Sequence, residues 1–481
     1  MRVADVADAL SRLPEVAAWQ WVPGSEGDTL LIAGPVDDAR GDDRGADTGW
    51  AEQAVIDAAA SGDAAVTGTD LAQLPALMRL LDETALLTMA RVLDRTRLFR
   101  DAAPHTAAEV VAALGTAPRH AWIVRRWLRT LAAESRLALD PTTGHYRDLT
   151  APGRAEYARA RRTLDEARSG MGYPESMTRF FFAAADRLPL LLQDRTSLQE
   201  VLFPEGETDT AEGNYRDNVP SRWANHAAAD LIAHEARRRA RRREGQGSGS
   251  RPLRVLEAGA GVGGTTEAVL SALGSTPVDY LFTDVSRFFL QTSRTRFGTH
   301  PGLRQALFDI NRDPTAQGFT PASHDVILVA NVLHNARHIG RALAALRELL
   351  VPDGLLVLVE SCREHYQALT SMYLLMSPQA DEEGWFTDLR AGQDRVFLTE
   401  GEWTRQLDAA GFRPLPVLPP DGHPLTALGQ HVVAGRARPG RGRPDPGRVA
   451  GALAQLPETA RPVRVHAVDR VLPTTMSGAS R

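Results

Sequence analysis

From Leu253 onward the sequence alternates short apolar runs with amphipathic stretches, and this alternation limits the possible fold more than any other feature. The apolar runs are 253-LRVLEA-258, 278-VDYLFT-283, 324-HDVILVA-330 and 354-GLLVLVE-360. Continuous apolar strands that are separated by helices are typical of a parallel sheet covered on both faces. The pattern therefore predicts an α/β, doubly wound, Rossmann-like domain over residues 252–435.

The rest of the chain divides by its pattern of apolar and polar residues. Apolar residues recur at helical spacing in 76-ALMRLLDETALLTMARVLDRTRLF-99 and 119-RHAWIVRRWLRTLAAESRLAL-139, which predicts a helical region over residues 50–245. The Gly/Ser-rich 244-EGQGSGSRP-252 marks its boundary. Residues 1–36 and 449–481 each contain too few apolar residues for a core of their own. We therefore expect the two chain ends to fold together as one small α+β subdomain.

Composition excludes several classes of protein. The chain has 481 residues, 43% of them hydrophobic, which is ordinary for a folded globular protein. Because Cys362 is the single cysteine and no signal or membrane-spanning segment is visible, we expect a cytoplasmic protein without disulfides and without a membrane partner. The sequence contains no lysine, so all 55 basic residues are arginine and lysine-dependent chemistry is excluded.

Charge gives little indication of a nucleic-acid partner, because the formal net charge is -5. The exception is the arginine run 237-RRRARRR-243. Such a run is typical of the solvated end of a helix, and a surface for a carrier protein or a nucleic acid is the alternative. We expect no nucleic-acid partner and no metal site.

A glycine-rich loop follows the first apolar strand. Gly259, Gly261 and Gly263 lie between that strand and a helix, where backbone replaces a side chain that would collide and N–H groups of the helix face an acceptor. The spacing differs from the dinucleotide pattern G-x-G-x-x-G, and Glu257 stands two positions before the first glycine. This combination predicts a site for a nucleoside that carries an amino acid, whose amino group needs a carboxylate partner.

Two further acidic residues follow the next strands. Asp284 ends the second strand, where acidic residues of Rossmann-like sheets accept the two ribose hydroxyls. Asp309, in 308-FDINRD-313, is a candidate partner for an adenine amino group. The alternative for both residues is a structural role in the turns at strand ends.

Residues 253–415 resemble the S-adenosylmethionine-dependent methyltransferase domains that are embedded in polyketide and nonribosomal peptide synthetases. The resemblance rests on VLEAGAGVGGTT, FTDVSRFFL, ANVLHNARHI, LLVPDGLLVLVES and EWTRQLDAAGF, and it extends upstream to residues 197–222 and the helices of 76–149. It is closest to siderophore synthetases of the yersiniabactin and pyochelin type. The resemblance implies a class I methyltransferase fold with an N-terminal helical lid, and S-adenosylmethionine as the cofactor.

Two polar residues at strand ends are candidates for catalysis. His334 follows the third apolar run and Glu360 ends the fourth, so adjacent strands would bring an imidazole and a carboxylate together at the ligand-binding edge. Such a pair is a general base with an orienting partner. The C-methyltransferases of the resembled family use a pair of this kind. The alternatives are that His334 forms hydrogen bonds behind the reacting groups and takes no proton, and that Glu360 caps the end of its strand.

The resemblance also implies binding residues. Tyr215 matches a position near the methionine part of the donor, and Asn331 is assigned to the donor site with it. The acceptor side is assigned to a further set, for which packing is the alternative: His338, Cys362, Arg363, His365 and Trp385.

The chain ends resemble a different protein. The segment 465-VHAVDRVLPTTMSGASR-481 is similar to the last segment of nonribosomal peptide adenylation domains, and 6-VADALSRLPEVAAW-19 is similar to the start of the same small subdomain. In that resemblance the adenylation lysine aligns with Ala479, and the large ATP-binding part is absent. Adenylation is therefore excluded on chemical grounds. A generic α+β appendage is the alternative.

Together these features predict a stand-alone, trans-acting methyltransferase. Its expected acceptor is the α-carbon of a thioester, a thiazoline being one candidate, on the phosphopantetheine arm of an acyl or peptidyl carrier protein. The alternatives are a methyltransferase-like epimerase that uses His334 without a donor, an N-methyltransferase, and a non-catalytic docking module.

Overall fold

The computed structural model describes most of the chain, and the two ends only in short pieces. The described residues are 6, 10, 18–22, 29–33, 44–101, 103–245, 251–378, 386–438, 449, 453–454, 464–467 and 477–479. They divide into two compact units, one formed by Met1–Ala51 with Ala437–Arg481 and the other by Glu52–Arg436.

The elements alternate as the sequence predicts. The strands are β1 (Ala18–Val22), β2 (Thr29–Ala33), β3 (Ala138–Leu139), β4 (Tyr146–Arg147), β5 (Leu253–Ala258), β6 (Val278–Asp284), β7 (Leu303–Leu307), β8 (His324–Ala330), β9 (Leu350–Ser361), β10 (Phe412–Pro414), β11 (Gln430–Ala437), β12 (Arg464–Ala467) and β13 (Ser477–Ala479). The helices are α1 (Arg44–Ala65), α2 (Leu74–Asp94), α3 (Ala107–Ala113), α4 (Ala121–Ala133), α5 (Arg154–Gly170), α6 (Glu175–Leu192), α7 (Leu198–Leu202), α8 (Asp209–Glu212), α9 (Val219–Gly245), α10 (Gly264–Leu273), α11 (Arg287–Phe297), α12 (Ile339–Leu349), α13 (Tyr366–Leu369) and α14 (Glu400–Ala409).

A seven-stranded sheet forms the centre of the larger unit, in the order β10-β11-β9-β8-β5-β6-β7. The five strands from β9 to β7 run parallel, and β11 runs antiparallel to β9. The apolar runs of β5, β6, β8 and β9 are buried, as expected for strands that are covered on both faces. The predicted doubly wound α/β fold is confirmed.

Helices upstream of the sheet form the N-terminal part of the same unit. The second half of α2 is buried on all sides, since every residue from Thr84 to Ala90 is buried, and α2 packs against α5 and α13. The amphipathic α4 buries Trp127, whose indole N–H donates to the carbonyl of Leu369 at 2.9 Å, just after β9. The helical region is thereby joined to the segment that follows the end of β9. Among the described residues, no helix is long and apolar enough to cross a membrane.

The arginine run of α9 is not a solvated helix end, and that prediction is wrong for its buried members. Arg238 and Arg239 both contact the fully buried carboxylate of Glu235, at 2.8 and 2.5 Å. Arg239 also reaches Asp325 at the start of β8, at 3.0 Å, and Arg238 reaches Asp353 at 2.8 Å. The run therefore joins α9 to the edge of the sheet opposite the glycine loop.

Strands from both chain ends form the sheet of the smaller unit. Its order is β12-β2-β1-β13, with β1 antiparallel to β2 and to β13, and β12 parallel to β2. The hairpin of the N-terminal end thus occupies the centre, and strands of the C-terminal end pair on both sides of it. Trp19 and Leu30 are buried.

Candidate active site

Parallel strands bring the candidate residues to one edge of the sheet. Ala258 of β5 lies opposite Thr283 of β6 on one side and Val329 of β8 on the other. Ala330 of β8 lies opposite Val359 of β9. The loops after these four strands therefore start side by side, at the edge where open α/β sheets bind ligands.

The glycine loop has a backbone that other residues adopt poorly. The φ angles of Gly259, Gly261 and Gly263 are 70°, 54° and 75°. A Cβ atom on Gly259 would lie 2.4 Å from Cγ2 of Val332, and one on Gly263 would lie 2.6 Å from the ring of Phe297. A Cβ on Gly261 would meet nothing within 4 Å. Packing thus requires the outer two glycines, whereas the space over the middle one is open to a ligand.

Glu257 lies beneath this loop, with its carboxylate buried. Oε2 accepts hydrogen bonds from the hydroxyls of Thr266, at 2.5 Å, and Tyr280, at 2.6 Å. Oε1 is buried and has no hydrogen-bond partner among the described residues. Burial raises the pKa of Glu257 to about 7, although the two hydroxyls lower it. Oε1 of Glu257 is thus a buried acceptor that can bind the amino group of a ligand that carries an amino acid.

Asp284 ends β6 and holds the glycine loop. Its Oδ2 accepts the N–H of Gly261 at 3.0 Å, and its Oδ1 accepts the N–H of Ser286 at 2.8 Å. Burial raises the pKa of Asp284, whereas these backbone N–H groups lower it. Each oxygen keeps a lone pair for a further donor, such as a ribose hydroxyl.

Asp309 follows β7, which pairs with β6. Its Oδ1 accepts the N–H of Asn311 at 2.9 Å, an arrangement that also stabilises the turn. The N–H of Phe308 donates to the carbonyl of Asp284 at 3.1 Å, so the chain segments that carry the two aspartates are joined. Asp309 is thus held at the strand end next to Asp284.

Tyr215 belongs to a short π-helical turn, Gly213–Asp217, that packs on the start of α10. A Cβ atom on Gly264 would lie 3.0 Å from the carbonyl oxygen of Tyr215, so this segment touches the helix that follows the glycine loop. Burial raises the pKa of Tyr215 to about 12. Its hydroxyl therefore stays protonated and is able to donate a hydrogen bond at neutral pH.

His334 and Glu360 form a buried pair. Nδ1 of His334 lies 2.6 Å from Oε2 of Glu360, and the N–H of Leu333 donates to Oε1 at 2.7 Å. The carboxylate is fully buried and 3% of His334 is exposed. Because the carboxylate accepts a hydrogen bond from the Nδ1–H group and keeps the ring proton there, the other ring nitrogen, Nε2, is left to act as a base.

A cavity brings together residues from several of these elements. Of the sequence-predicted residues, Tyr215, Asn331, His334, Arg363 and His365 line it. The apolar part of its wall includes Met78, Met171, Met372, Met376, Phe397 and Leu428, and the polar part also includes Asn214, Asn218, Ser221, Ser361, Gln367 and Gln430. The candidate base therefore faces a cavity whose wall is partly apolar and partly polar.

Three residues of the predicted acceptor side lie elsewhere or cannot be described. His338 is not part of the cavity lining, and it caps α12, because its ring accepts the N–H of Arg341 at 3.2 Å. Cys362 is buried outside the cavity lining, and burial raises the pKa of its thiol, which keeps the thiol unreactive. Trp385 lies outside the described residues.

Sequence reasoning missed three residues that surround the pair. The guanidinium of Arg390 donates to the carbonyl of His334 at 2.6 Å, and the ring of Phe397 packs edge-on against the imidazole at 5.1 Å. Gln430 donates to Oδ1 of Asn331 at 3.1 Å. Arg390 lies 56 positions from His334 along the chain, and Gln430 lies 99 positions from Asn331. No sequence pattern links these residues to the site.

Comparisons with known proteins agree with this geometry. Residues 256–356 match a family described as "Methyltransferase domain". The chain is 31% identical over 421 residues to pyochelin synthetase PchF of Pseudomonas aeruginosa, an alignment that covers 84% of this chain and 22% of the synthetase. The chain thus corresponds to about a fifth of that relative.

Solved structures with the same fold include two methyltransferases. The carbon methyltransferase of CurJ superposes with a TM-score of 0.70 at 24% identity, covering 81% of this chain and 99% of CurJ. The trans-methyltransferase CalH, in complex with SAH, gives a TM-score of 0.55 at 23% identity, covering 77% and 92%. The expected class I fold is confirmed. The domain match and this fold show that the chain contains a methyltransferase domain of class I fold.

Proposed function

We propose that the chain transfers a methyl group to the α-carbon of a thioester that is held on the phosphopantetheine arm of a separate carrier protein. The observation that carries this proposal is the 2.6 Å contact between His334 and Glu360 at the wall of the cavity. A carbon acid needs a base before it can accept a methyl group, and an imidazole oriented by a carboxylate is such a base.

The donor would be held by the residues around the glycine loop. In the proposal, the open space over Gly261 admits the ligand, Oε1 of Glu257 accepts from its amino group, and Asp284 accepts from its ribose. Asp309 lies near the adenine and Tyr215 near the methionine part. S-adenosylmethionine supplies an electrophilic methyl group on a sulfonium. The protein contributes the position of the acceptor and the removal of its proton.

Nε2 of His334 takes the α-proton in this proposal. Glu360 keeps the proton of the ring on Nδ1 and stabilises the imidazolium that forms. The ring of Phe397 packs edge-on against the imidazole at 5.1 Å and helps to hold it in this orientation.

A carrier protein as partner is supported by the kind of protein to which the chain is similar. PchF is a synthetase, and the sequence resembles methyltransferase domains of synthetases that work on tethered intermediates. The flexible methionine side chains of the wall suit acyl groups of varied shape.

The experiment supplies the carrier as a separate chain. Acylated carrier protein, the methyltransferase and CD₃-labelled S-adenosylmethionine are incubated, and intact mass and NMR give the methylated atom. Label on the α-carbon supports the proposal. Label on nitrogen indicates an N-methyltransferase, inversion of the α-carbon without label an epimerase, and no reaction with any acyl group a docking module.

We also propose that residues 252–435 form the catalytic domain, that residues 50–245 form its helical lid, and that the two chain ends, 1–36 and 449–481, form a split subdomain similar to the small part of adenylation domains. The shared sheet β12-β2-β1-β13 supports the last point. Limited proteolysis of the full chain should cut first at the boundaries between these parts and leave resistant fragments that contain residues 52–245 or 252–436. A first cut inside the strands and helices of either part would contradict this division.

A further inference from the structure

Asn331 has an unusual backbone in the first position after β8. Its φ angle is 56°, in the left-handed region, which asparagine tolerates better than most residues. Its N–H donates to the carbonyl of Val359 at 2.7 Å, so the position is fixed to the neighbouring strand, one residue before Glu360. The side chain lines the cavity together with His334.

The side-chain amide of Asn331 keeps donor capacity in that cavity. Nε2 of Gln430 donates to Oδ1 of Asn331 at 3.1 Å, which leaves the NH₂ group of Asn331 without an acceptor among the described residues. If both amides were turned over, Asn331 would donate one N–H to Gln430 and would still have the second free. In either orientation, at least one N–H of Asn331 is available to a ligand.

The proposed reaction creates a need for such a donor. When Nε2 of His334 takes the α-proton, the C–H bond breaks and its electron pair moves toward the thioester carbonyl, so negative charge builds on the carbonyl oxygen. The side chains of Met372, Met376 and Phe397 cannot stabilise that charge, so a polar group on the rest of the cavity wall has to donate to it. A positioned N–H group at a developing oxyanion is the usual device in enzymes.

We propose that the amide of Asn331 donates a hydrogen bond to the carbonyl oxygen of the acceptor thioester and stabilises the enolate that His334 generates. This inference rests on the proposed function. It assigns Asn331 to the acceptor, and not to the donor site where the sequence resemblance puts it. Asn331 follows β8 and His334 lies three residues later, so a single loop would hold both the base and the oxyanion donor.

The test compares Asn331→Asp with the wild type. Aspartate tolerates the left-handed backbone and still accepts from Gln430, but it replaces the NH₂ donor by an oxygen that repels an enolate. The probe is 3-oxobutanoyl-pantetheine in deuterated buffer without a methyl donor, and NMR follows exchange of its α-protons above the background without protein. We expect exchange to fall roughly 10² to 10³-fold, while the Kd for S-adenosylmethionine changes less than about 2-fold.

Asn335→Asp is the matched control, because it makes the same change at an exposed residue of the same loop. It should leave exchange unchanged. If Asn331→Asp does not fold, Asn331→Gly keeps the backbone and removes the donor, and the same loss is expected. Wild-type exchange in these Asn331 variants, or a loss of donor affinity with exchange intact, would overturn the inference alone. A wild-type protein that exchanges no α-proton would refute the proposed function together with it.

Discussion

Replacing Glu360 by glutamine should disable the base without disturbing the donor site. Each oxygen of Glu360 accepts one hydrogen bond, from Nδ1 of His334 at 2.6 Å and from the N–H of Leu333 at 2.7 Å. Glutamine has one oxygen and one NH₂ group, so one of these donors would face another donor. The backbone N–H of Leu333 cannot change, and leaving it unsatisfied costs about 1–3 kcal/mol.

The imidazole, in contrast, changes its tautomer. With the NH₂ group facing Nδ1, the ring proton moves to Nε2, and the lone pair that should take the α-proton is no longer available. We therefore expect Glu360→Gln to lower the single-turnover rate of methyl transfer by roughly 10² to 10⁴. Donor affinity should be unchanged, because the glycine loop lies on other strands.

The assay measures transfer from CD₃-labelled S-adenosylmethionine to 3-oxobutanoyl-pantetheine by mass spectrometry, and donor affinity by calorimetry. Glu360→Asp keeps two accepting oxygens and should retain more activity than Glu360→Gln. Glu166→Gln, at an exposed position of α5, is the control for loss of a carboxylate elsewhere. A Glu360→Gln rate within about 3-fold of the wild type would refute the tautomer argument.

Three further outcomes follow from the described contacts. Gly261→Leu should abolish the micromolar donor binding measured by calorimetry, which corresponds to roughly 8 kcal/mol. Gly274→Leu is the control, because Gly274 has the same φ of 54° and the same open space around it, and it should leave donor binding intact. Equal effects of the two substitutions would show that the glycine loop is not part of the donor site. Burial raises the pKa of Glu257 to about 7 in the folded protein, so the wild type should lose about 3 kcal/mol of unfolding free energy relative to Glu257→Gln as pH rises from about 4.5 to 7. Denaturant unfolding that gives the two proteins the same dependence of unfolding free energy on pH would contradict this. Burial alone would raise the pKa of Glu235, but Arg436, Arg238 and Arg239 hold it at about 2. Glu235→Gln should therefore lower the free energy of unfolding by about 3–5 kcal/mol at neutral pH, and this difference from the wild type should narrow as pH falls from about 4.5 to 2. A difference that stays constant with pH would show that the charge of Glu235 is not its cause.

The fold and the strand-end residues were predictable because they depend on local patterns. A buried strand, a glycine loop and an acidic strand end each occupy a few consecutive residues, and parallel pairing then fixes which edge they share. His334 and Glu360 could be paired for the same reason, since Glu360 lies at the end of β9 and His334 lies four residues after the end of β8. Their contact needs only that β8 and β9 are neighbours.

The remaining features depend on contacts between distant residues. The arginine run looked solvated because its partners, the buried Asp325 and the half-buried Asp353, lie 86 and 115 positions away along the chain. His338 looked like an acceptor residue because it follows the same strand as His334, yet a helix begins immediately after it and uses its ring as a cap. Gln430, which orients Asn331, comes from the antiparallel strand beyond β9.

Methylation of a carbon acid with His334 as the base is tested by the position of a CD₃ group after an acylated carrier protein is incubated with labelled S-adenosylmethionine. The wild type is compared with His334→Ala. We expect label on the α-carbon with the wild type, and a rate roughly 10² to 10⁴ lower with His334→Ala at unchanged donor affinity. Label on a nitrogen or oxygen, or equal rates for the two proteins, would contradict it.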